Sequence, residues 1–158
     1  MKNINAYFMK LAIQKASQGV QKGQTPFGAC IVKNGKVIAC AHNTVWKTSD
    51  STAHAEINAI RLACRKLKTI NLSKCVMYST CEPCPMCFSA CHWAGISKII
   101  FGAQIKDAKR FGFNELSVSC ATMKSRGHSK VQLQAGCCAK ENLNVFRCWS
   151  KQKNKKAY

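Results

Sequence analysis

Residues 75–93, CVMYSTCEPCPMCFSACHW, decide the fold of this chain. The run opens with five apolar or small residues, 75–79, which predict a short buried strand. After a proline-containing turn, residues 85–93 predict a helix that begins with Pro85 and is closed by Gly95. A strand that leads through a short turn into a helix is typical of α/β domains.

The sequence on both sides of this run continues the alternation of strands and helices. Asn34-Gly35 is a strong signal for a two-residue hairpin turn, because both positions need positive φ angles. On either side of the hairpin, apolar residues recur at helical spacing or in short runs. The other predicted elements are helices at 3–20, from about 53 and from 141 to about 151, and strands at 27–32, 37–41, 96–102 and 131–134.

These elements predict one α/β domain over residues 1–158, with three layers, α/β/α, around a mixed central sheet. The hairpin strands should pair antiparallel, and strands separated by helices should run parallel. With 158 residues, of which 47% are hydrophobic, the chain is large enough to bury a core. Its C-terminal tail, about residues 150–158, is a basic run that ends on Tyr158.

Positive charge is the unusual feature of the composition. The chain holds 25 Lys and Arg against 6 Asp and Glu, a net charge of +19. Such an excess favours anionic partners such as nucleic acid and does not report on fold. No apolar run approaches the ~18 residues that a membrane span needs, and residues 1–5 lack the apolar core of a signal peptide. We therefore expect a cytoplasmic protein with no membrane partner.

Two short clusters, HAE at 54–56 and PCPMC at 83–87, hold the side chains suited to a metal site. Cys84 and Cys87 have the C-x-x-C spacing that places two thiolates on one metal ion, at a helix start that favours thiolates. His54 supplies a third ligand, and three protein ligands leave a position for water, whose pKa zinc lowers. Glu56 can stay off the metal and relay protons. The pattern predicts one Zn²⁺ per chain.

The cysteines leave two alternatives open. A C-x-x-C pair by itself is also typical of thioredoxin-like redox sites. Cys81 could complete a closed, four-ligand structural zinc site, although it and Cys91 are expected to pack in the core. The remaining cysteines, which are expected to be small apolar core residues, are Cys30, Cys40, Cys64, Cys75, Cys120, Cys137, Cys138 and Cys148.

The order H-x-E followed by P-C-x-x-C resembles the signature of zinc-dependent nucleobase deaminases of the cytidine-deaminase-like superfamily. The resemblance extends to the small bacterial guanine deaminases, and it covers nearly the whole chain apart from a weak patch at about 117–140. The segments that carry it are TPFGA at 25–29, Asn43, TAHAEINAIR at 52–61, CEPCPMC at 81–87, HWA at 92–94, FGFNE at 111–115 and KKAY at 155–158.

The resemblance implies a role for each matching residue. His54, Cys84 and Cys87 bind zinc, and Glu56 relays protons. The implied substrate-binding residues are Asn43, which hydrogen-bonds the purine ring, Phe27 and Trp93, which pack against the base, Glu115, which is the second acidic residue of the family, and Tyr158, which closes over the pocket.

Two of these residues bear on substrate and assembly. Relatives carry an Asp-Asp pair where this chain has Asn114-Glu115. A carboxylate there can accept both the N1–H and the N2–H₂ of guanine, whereas adenine has no such donor pair on its Watson–Crick edge. In that family the residue at Tyr158 often comes from a swapped partner subunit, which implies a homodimer with an exchanged C-terminal segment.

The implied reaction is hydrolysis of guanine to xanthine and ammonia, in which hydroxide activated by zinc attacks C2 and Glu56 moves the protons. The alternatives are a guanosine deaminase, a tRNA adenosine deaminase that forms inosine, and a non-catalytic zinc module that binds nucleic acid. In the last two, the basic surface would neutralise phosphates. The bulky segment at 111–115 and the terminal Tyr158 favour a small free base. The basic residues in question are Lys124, Arg126, Lys130 and the lysines of 151–156.

Overall fold

The computed structural model describes residues 4–158. Within them, five strands form a single sheet, and seven helices accompany it and cover both of its faces. In chain order the elements are α1 (Ile4–Gln21), β1 (Gly28–Lys33), β2 (Lys36–His42), α2 (Val45–Thr48), α3 (Ala55–Leu67), β3 (Cys75–Cys81), α4 (Pro85–Trp93), β4 (Lys98–Ala103), α5 (Ile105–Arg110), α6 (Cys120–Arg126), β5 (Gln132–Gln134) and α7 (Ala139–Ser150).

The strand directions bring several chain segments to one edge of the sheet. The strand order is β2-β1-β3-β4-β5, in which β1 is antiparallel to both β2 and β3, and β3, β4 and β5 are parallel. The carboxyl ends of β2, β3 and β4 therefore lie at the same edge as the start of β1. Ligands of open α/β sheets bind at the carboxyl edge. Here that edge also receives the N-termini of α3 and α4.

Alternation along β1 shows how the core is divided between the two faces of the sheet. Cys30 and Val32 pack with Phe8 and other buried residues of α1. Ala29 and Ile31 join the larger cluster that contains the buried alanines of α3 and the apolar residues of α4. Small side chains on α3 let that helix approach the sheet closely, and this fixes the position of its N-terminus.

The predicted α/β fold with a mixed sheet is confirmed, and strand bounds differ from the predicted ones by at most two residues. Asn34 and Gly35 have the expected positive φ angles of 49° and 70°. The prediction missed α2, α5 and α6, which have four, six and seven residues, because such short helices barely repeat the helical period. Helix α3 begins at Ala55 and α7 at Ala139, each two residues from its predicted start. The predicted first residue of α1, Asn3, lies outside the described residues.

Within residues 4–158, none of the helices combines the length and the apolar character that crossing a membrane requires.

Candidate active site

Three metal-ligand side chains meet where α3 and α4 begin. His54 and Cys84 are the N-cap residues of these two helices, and Cys87 lies in the first turn of α4. The Nδ1 atom of His54 lies 3.7 Å from Sγ of Cys84 and 3.5 Å from Sγ of Cys87. At Zn–S and Zn–N bond lengths of ~2.3 and ~2.0–2.1 Å, tetrahedral ligand atoms lie roughly 3.5–3.8 Å apart. The spacing of the three side chains therefore fits a zinc ion.

The electrostatics of the cluster also suit a cation. The hydrogen bond from Cys87, together with His54, lowers the pKa of Cys84 to about 4. Burial lowers the pKa of His54, but its hydrogen bond with Cys84 and the nearby charge of Glu56 outweigh this effect and raise it. The cluster thus carries a thiolate at a helix N-terminus, which is the form that binds metal.

Cys81 does not join this cluster. Its thiol donates to the backbone oxygen of Gln104 at 3.6 Å, and the potential ligand group among residues 4–158 consists of His54, Cys84 and Cys87. The arrangement is a three-ligand site and not a closed structural one. Because both C-x-x-C thiols face a histidine nitrogen, it also differs from an isolated redox pair.

Glu56 lies beside the metal cluster and is almost completely buried, with 5% of its surface exposed. Its Oε1 accepts a hydrogen bond from the Ser79 hydroxyl at 2.8 Å, and its Oε2 lies 3.5 Å from Sγ of Cys87. Burial raises the pKa of the carboxyl group. A buried carboxyl held on one oxygen, with the other oxygen facing the metal ligands, is suited to proton transfer.

Sequence reasoning did not single out Ser79. It lies on β3, two residues before Cys81 and two after Met77, on the face of the strand that turns toward α3 and α4. A serine on a strand face that is otherwise apolar is the signal that could have identified it, because a buried hydroxyl needs a hydrogen-bond partner.

The C-terminal residue lies beside the same cluster. Asn43, which is fully buried, donates from Nδ2 to the Tyr158 hydroxyl at 2.5 Å, and its Oδ1 accepts from the backbone N–H of Val45 at 3.0 Å. The Tyr158 ring lies 5.4 Å from the ring of His54. Burial raises the pKa of the Tyr158 hydroxyl, which stays protonated.

Backbone contacts hold the tail in this position on its own chain. The backbone N–H of Asn114 donates to the carbonyl oxygen of Tyr158 at 2.9 Å. The indole N–H of Trp46 donates to the carbonyl oxygen of Lys156 at 3.0 Å, and the Lys156 ammonium lies 5.4 Å from the centre of the Trp46 ring. The terminal residues are therefore held by hydrogen bonds to helix α2 and to the loop that contains Asn114.

Aromatic rings form the wall beneath the tail. Phe27 is buried just before β1 and packs edge-to-face on Phe113 at 4.9 Å and on Phe146 at 5.3 Å. Phe113 in turn contacts the Tyr158 ring at 5.7 Å. Phe27 and Tyr158 therefore both contact the ring of Phe113.

Glu115 follows Phe113 and is half-buried. Burial, reinforced by the negative charge of Cys84, raises the pKa of its carboxyl group to about 7, although His54 acts in the opposite direction. The charges of Cys84 and His54 therefore act on this carboxyl group.

Trp93 is the one predicted site residue that this chain alone does not bring to the cluster. It lies at the C-terminal end of α4, exposes 85% of its surface, and has the ring of its neighbour His92 as its aromatic contact. Six residues of helix, or ~9 Å of axial rise, separate it from Cys87. Its contact with a base stays a prediction that would require a second subunit.

Known proteins match the chain over most of its length. Residues 2–103 match the family model for the cytidine and deoxycytidylate deaminase zinc-binding region. The chain is 38% identical over 152 residues to the guanine deaminase of Bacillus subtilis, which covers 96% of this chain and 97% of that protein. It is 48% identical over 97 residues to the tRNA-specific adenosine deaminase of Aquifex aeolicus, covering 61% of this chain and 64% of that one. The solved guanine deaminase from Nitrosomonas europaea superposes with a TM-score of 0.86 at 26% identity, covering 93% of this chain and 85% of that chain.

Proposed function

The chain belongs to the cytidine and deoxycytidylate deaminase family, and on this basis we propose that it hydrolyses free guanine to xanthine and ammonia. The near full-length similarity to a guanine deaminase supports this proposal. The observation that carries it is the half-buried carboxyl group of Glu115, which lies close enough to His54 and Cys84 for their charges to act on its pKa, together with the Tyr158 ring 5.4 Å from the ring of His54. Such an arrangement suits a small base with two adjacent N–H donors.

Zinc would be held by His54, Cys84 and Cys87, one ion per chain, and a water bound to it would ionise near neutral pH. The protein side chains supply the proton transfers. Ser79 fixes Oε1 of Glu56, which leaves Oε2 to take the proton of the attacking water. The same carboxyl then gives a proton to the amino group that leaves C2 as ammonia. Water is consumed, so that guanine and water become xanthine and ammonia.

Substrate binding would use the groups that face each other under the tail. Glu115 would accept the N1–H and N2–H₂ of guanine, and Phe27 would pack against the ring. Asn43 donates to the Tyr158 hydroxyl in the free protein, so its amide is the donor that an entering purine would take over. Tyr158 would then close over the base and exclude water. We assign these roles to a single domain over residues 1–158, whose tail, about 150–158, caps the site.

We further propose a homodimer. Trp93 exposes 85% of its surface, and tryptophan is enriched at protein–protein interfaces relative to the rest of the surface. A second subunit would allow Trp93 to pack against a base, and residues 150–158 could close over their own site, as here, or exchange between subunits.

A second candidate function is tRNA adenosine deamination, and the net charge of +19 and the Aquifex relative favour it. The lysines at 151, 153, 155 and 156 are all exposed next to the lid, where they could bind phosphates. A third possibility, guanosine, differs from guanine only by its ribose.

The test is a substrate panel with the zinc-loaded protein. Guanine, guanosine, adenine, cytosine and a tRNA with adenosine at the wobble position are supplied separately, and ammonia and the product base are measured. We expect xanthine from guanine. Inosine in the tRNA without any xanthine would establish the second candidate instead, and ammonia from adenine or cytosine alone would contradict both.

A further inference from the structure

Two cysteines that play no part in the active site face each other across the hairpin. Cys30 on β1 pairs with Cys40 on β2, and their Sγ atoms lie 2.7 Å apart. Facing residues of antiparallel strands have Cα separations of about 4.5–5.5 Å, which fall within the ~4.4–6.8 Å range found across disulfides. A sulfur–sulfur bond of ~2.05 Å would therefore require a shift of well under 1 Å and no change of register.

The two thiols differ in exposure. Cys30 is fully buried among Phe8, Tyr78 and Ile100. Cys40 is half-buried on β2, the edge strand of the sheet, and it borders a groove of about 330 Å³ between α1 and α3. A reagent in solution can therefore reach Cys40 but not Cys30.

The groove beside Cys40 is basic. Lys15 of α1 and both Arg61 and Arg65 of α3 line it, and no carboxylate does so among the described residues. A guanidinium nitrogen of Arg61 also lies 3.7 Å from a carboxylate oxygen of Asp50, which does not line the groove. The hydrogen bond between Cys40 and Cys30 lowers the pKa of Cys40, and the charges of Lys15 and Lys66 add to this effect. A solvent-accessible thiol with thiolate character is the nucleophile of thiol–disulfide exchange.

We propose that Cys30 and Cys40 form a redox-active dithiol that reacts with a small anionic disulfide bound in the basic groove. The Cys40 thiolate attacks one sulfur of the disulfide, forms a mixed disulfide and releases one thiolate. The Cys30 thiol then attacks Sγ of Cys40 while its proton passes to the departing sulfur, which forms the Cys30–Cys40 bond and releases the second thiol. Two protein thiols are oxidised and one disulfide is reduced to two thiols, so the exchange balances.

This inference is independent of guanine hydrolysis, because neither cysteine belongs to the metal cluster. Cys30 and Cys40 also differ from other cysteines of the chain, because one thiol is accessible and the other faces it. Cys148 is exposed but has no facing thiol, and Cys75, Cys91 and Cys120 are buried without an open approach.

The experiment equilibrates the zinc-loaded full chain with oxidised and reduced glutathione at several ratios. The thiols are trapped with acid, alkylated after unfolding, and mapped by mass spectrometry of peptides. We expect a Cys30–Cys40 disulfide to form at ratios at which Cys148 is still largely alkylated. In Cys30→Ala, Cys40 should accumulate as a glutathione adduct, whereas the matched control Cys148→Ala should form the disulfide like the wild type.

Several results would overturn the proposal. One is that Cys30 and Cys40 stay reduced while other thiols are oxidised. Another is that the disulfide forms between Cys137 and Cys138 instead. The third is that Cys40 of the wild type accumulates as the glutathione adduct. The role of charge is tested with hydroxyethyl disulfide, which is neutral. At low ionic strength, Arg65→Ala should slow oxidation by glutathione disulfide by about tenfold and leave the rate of oxidation by hydroxyethyl disulfide unchanged. Equal slowing with both reagents would exclude an anion-binding groove.

Discussion

Replacement of Ser79 by alanine tests how the buried carboxyl group of Glu56 is held. The Ser79 hydroxyl donates to Oε1 at 2.8 Å, and both residues are almost completely buried, so water cannot replace the bond. A hydrogen bond to a charged group is worth ~1.5–3 kcal/mol. If that energy fixes the carboxylate during proton transfer, its loss lowers kcat roughly 10- to 150-fold.

The assay is steady-state guanine turnover, with zinc content measured on the same samples. KM and zinc occupancy should stay unchanged in Ser79→Ala, because the Ser79 hydroxyl donates to Glu56 and not to a metal ligand, and the residue is buried. Thr80 provides a matched control, since it is equally buried on the opposite face of β3 and accepts from the backbone N–H of Gly28 at 3.0 Å. Thr80→Val leaves that N–H unpaired, which should cost ~1–3 kcal/mol of unfolding free energy with kcat unchanged in the folded protein.

The reasoning about Ser79 would be refuted by a kcat within twofold of wild type in Ser79→Ala. It would also be refuted by an equal loss of kcat in Thr80→Val, which would show that both hydroxyls act only through the stability of the strand. Loss of zinc from Ser79→Ala would show that the serine supports the metal cluster and not the proton transfer.

Three further changes probe other parts of the site. Lowering the pH through about 7 should raise KM for guanine, because burial raises the pKa of Glu115 to about 7 and the protonated carboxyl no longer accepts both substrate N–H groups. A rise in KM below this pH that persists in Glu115→Gln would contradict the assignment. Cys84→Ala should lose zinc and turnover, whereas Cys81→Ala should keep one zinc per chain by metal analysis, and loss of zinc from both would mean a four-ligand site. Deletion of Ala157 and Tyr158 should lower kcat/KM for guanine with zinc retained, and an unchanged kcat/KM would mean that the tail is not a lid.

The metal ligands and the general fold could be predicted because each depends on local sequence. The C-x-x-C spacing and the proline at the helix start specify where Cys84 and Cys87 lie on α4, whatever surrounds them. His54 is distant in sequence, and it was found only because H-x-E is a recurrent pattern. The hairpin could likewise be predicted, because its turn requires positive φ angles at two positions and Asn34 and Gly35 adopt them readily.

Features that depend on packing between distant segments could not be predicted. Ser79 acquires its role only when β3 lies behind the first turn of α3. The Cys30–Cys40 pair appears only once the hairpin register is known, and both residues had been assigned to the core on composition alone. Cys148 was expected to be a core residue, which was wrong: it is exposed, because α7 presents Phe146 and Trp149 to the core and turns Cys148 outward.

The packing of Trp93 depends on more than its own chain. Its position at the end of α4 follows from the sequence, but what covers it depends on assembly. The tail, by contrast, is fixed by contacts within the chain, from Asn43 and Asn114 to Tyr158.

The central claim is tested most directly by the formation of xanthine from guanine, compared between the wild type and Glu56→Gln at equal zinc content. We expect equal amounts of xanthine and ammonia from the wild type. In Glu56→Gln the rate should be about 10²- to 10⁴-fold lower, because the proton shuttle is lost. The claim would be contradicted by a wild-type protein that binds zinc but forms no xanthine, or by a variant that turns guanine over at the wild-type rate.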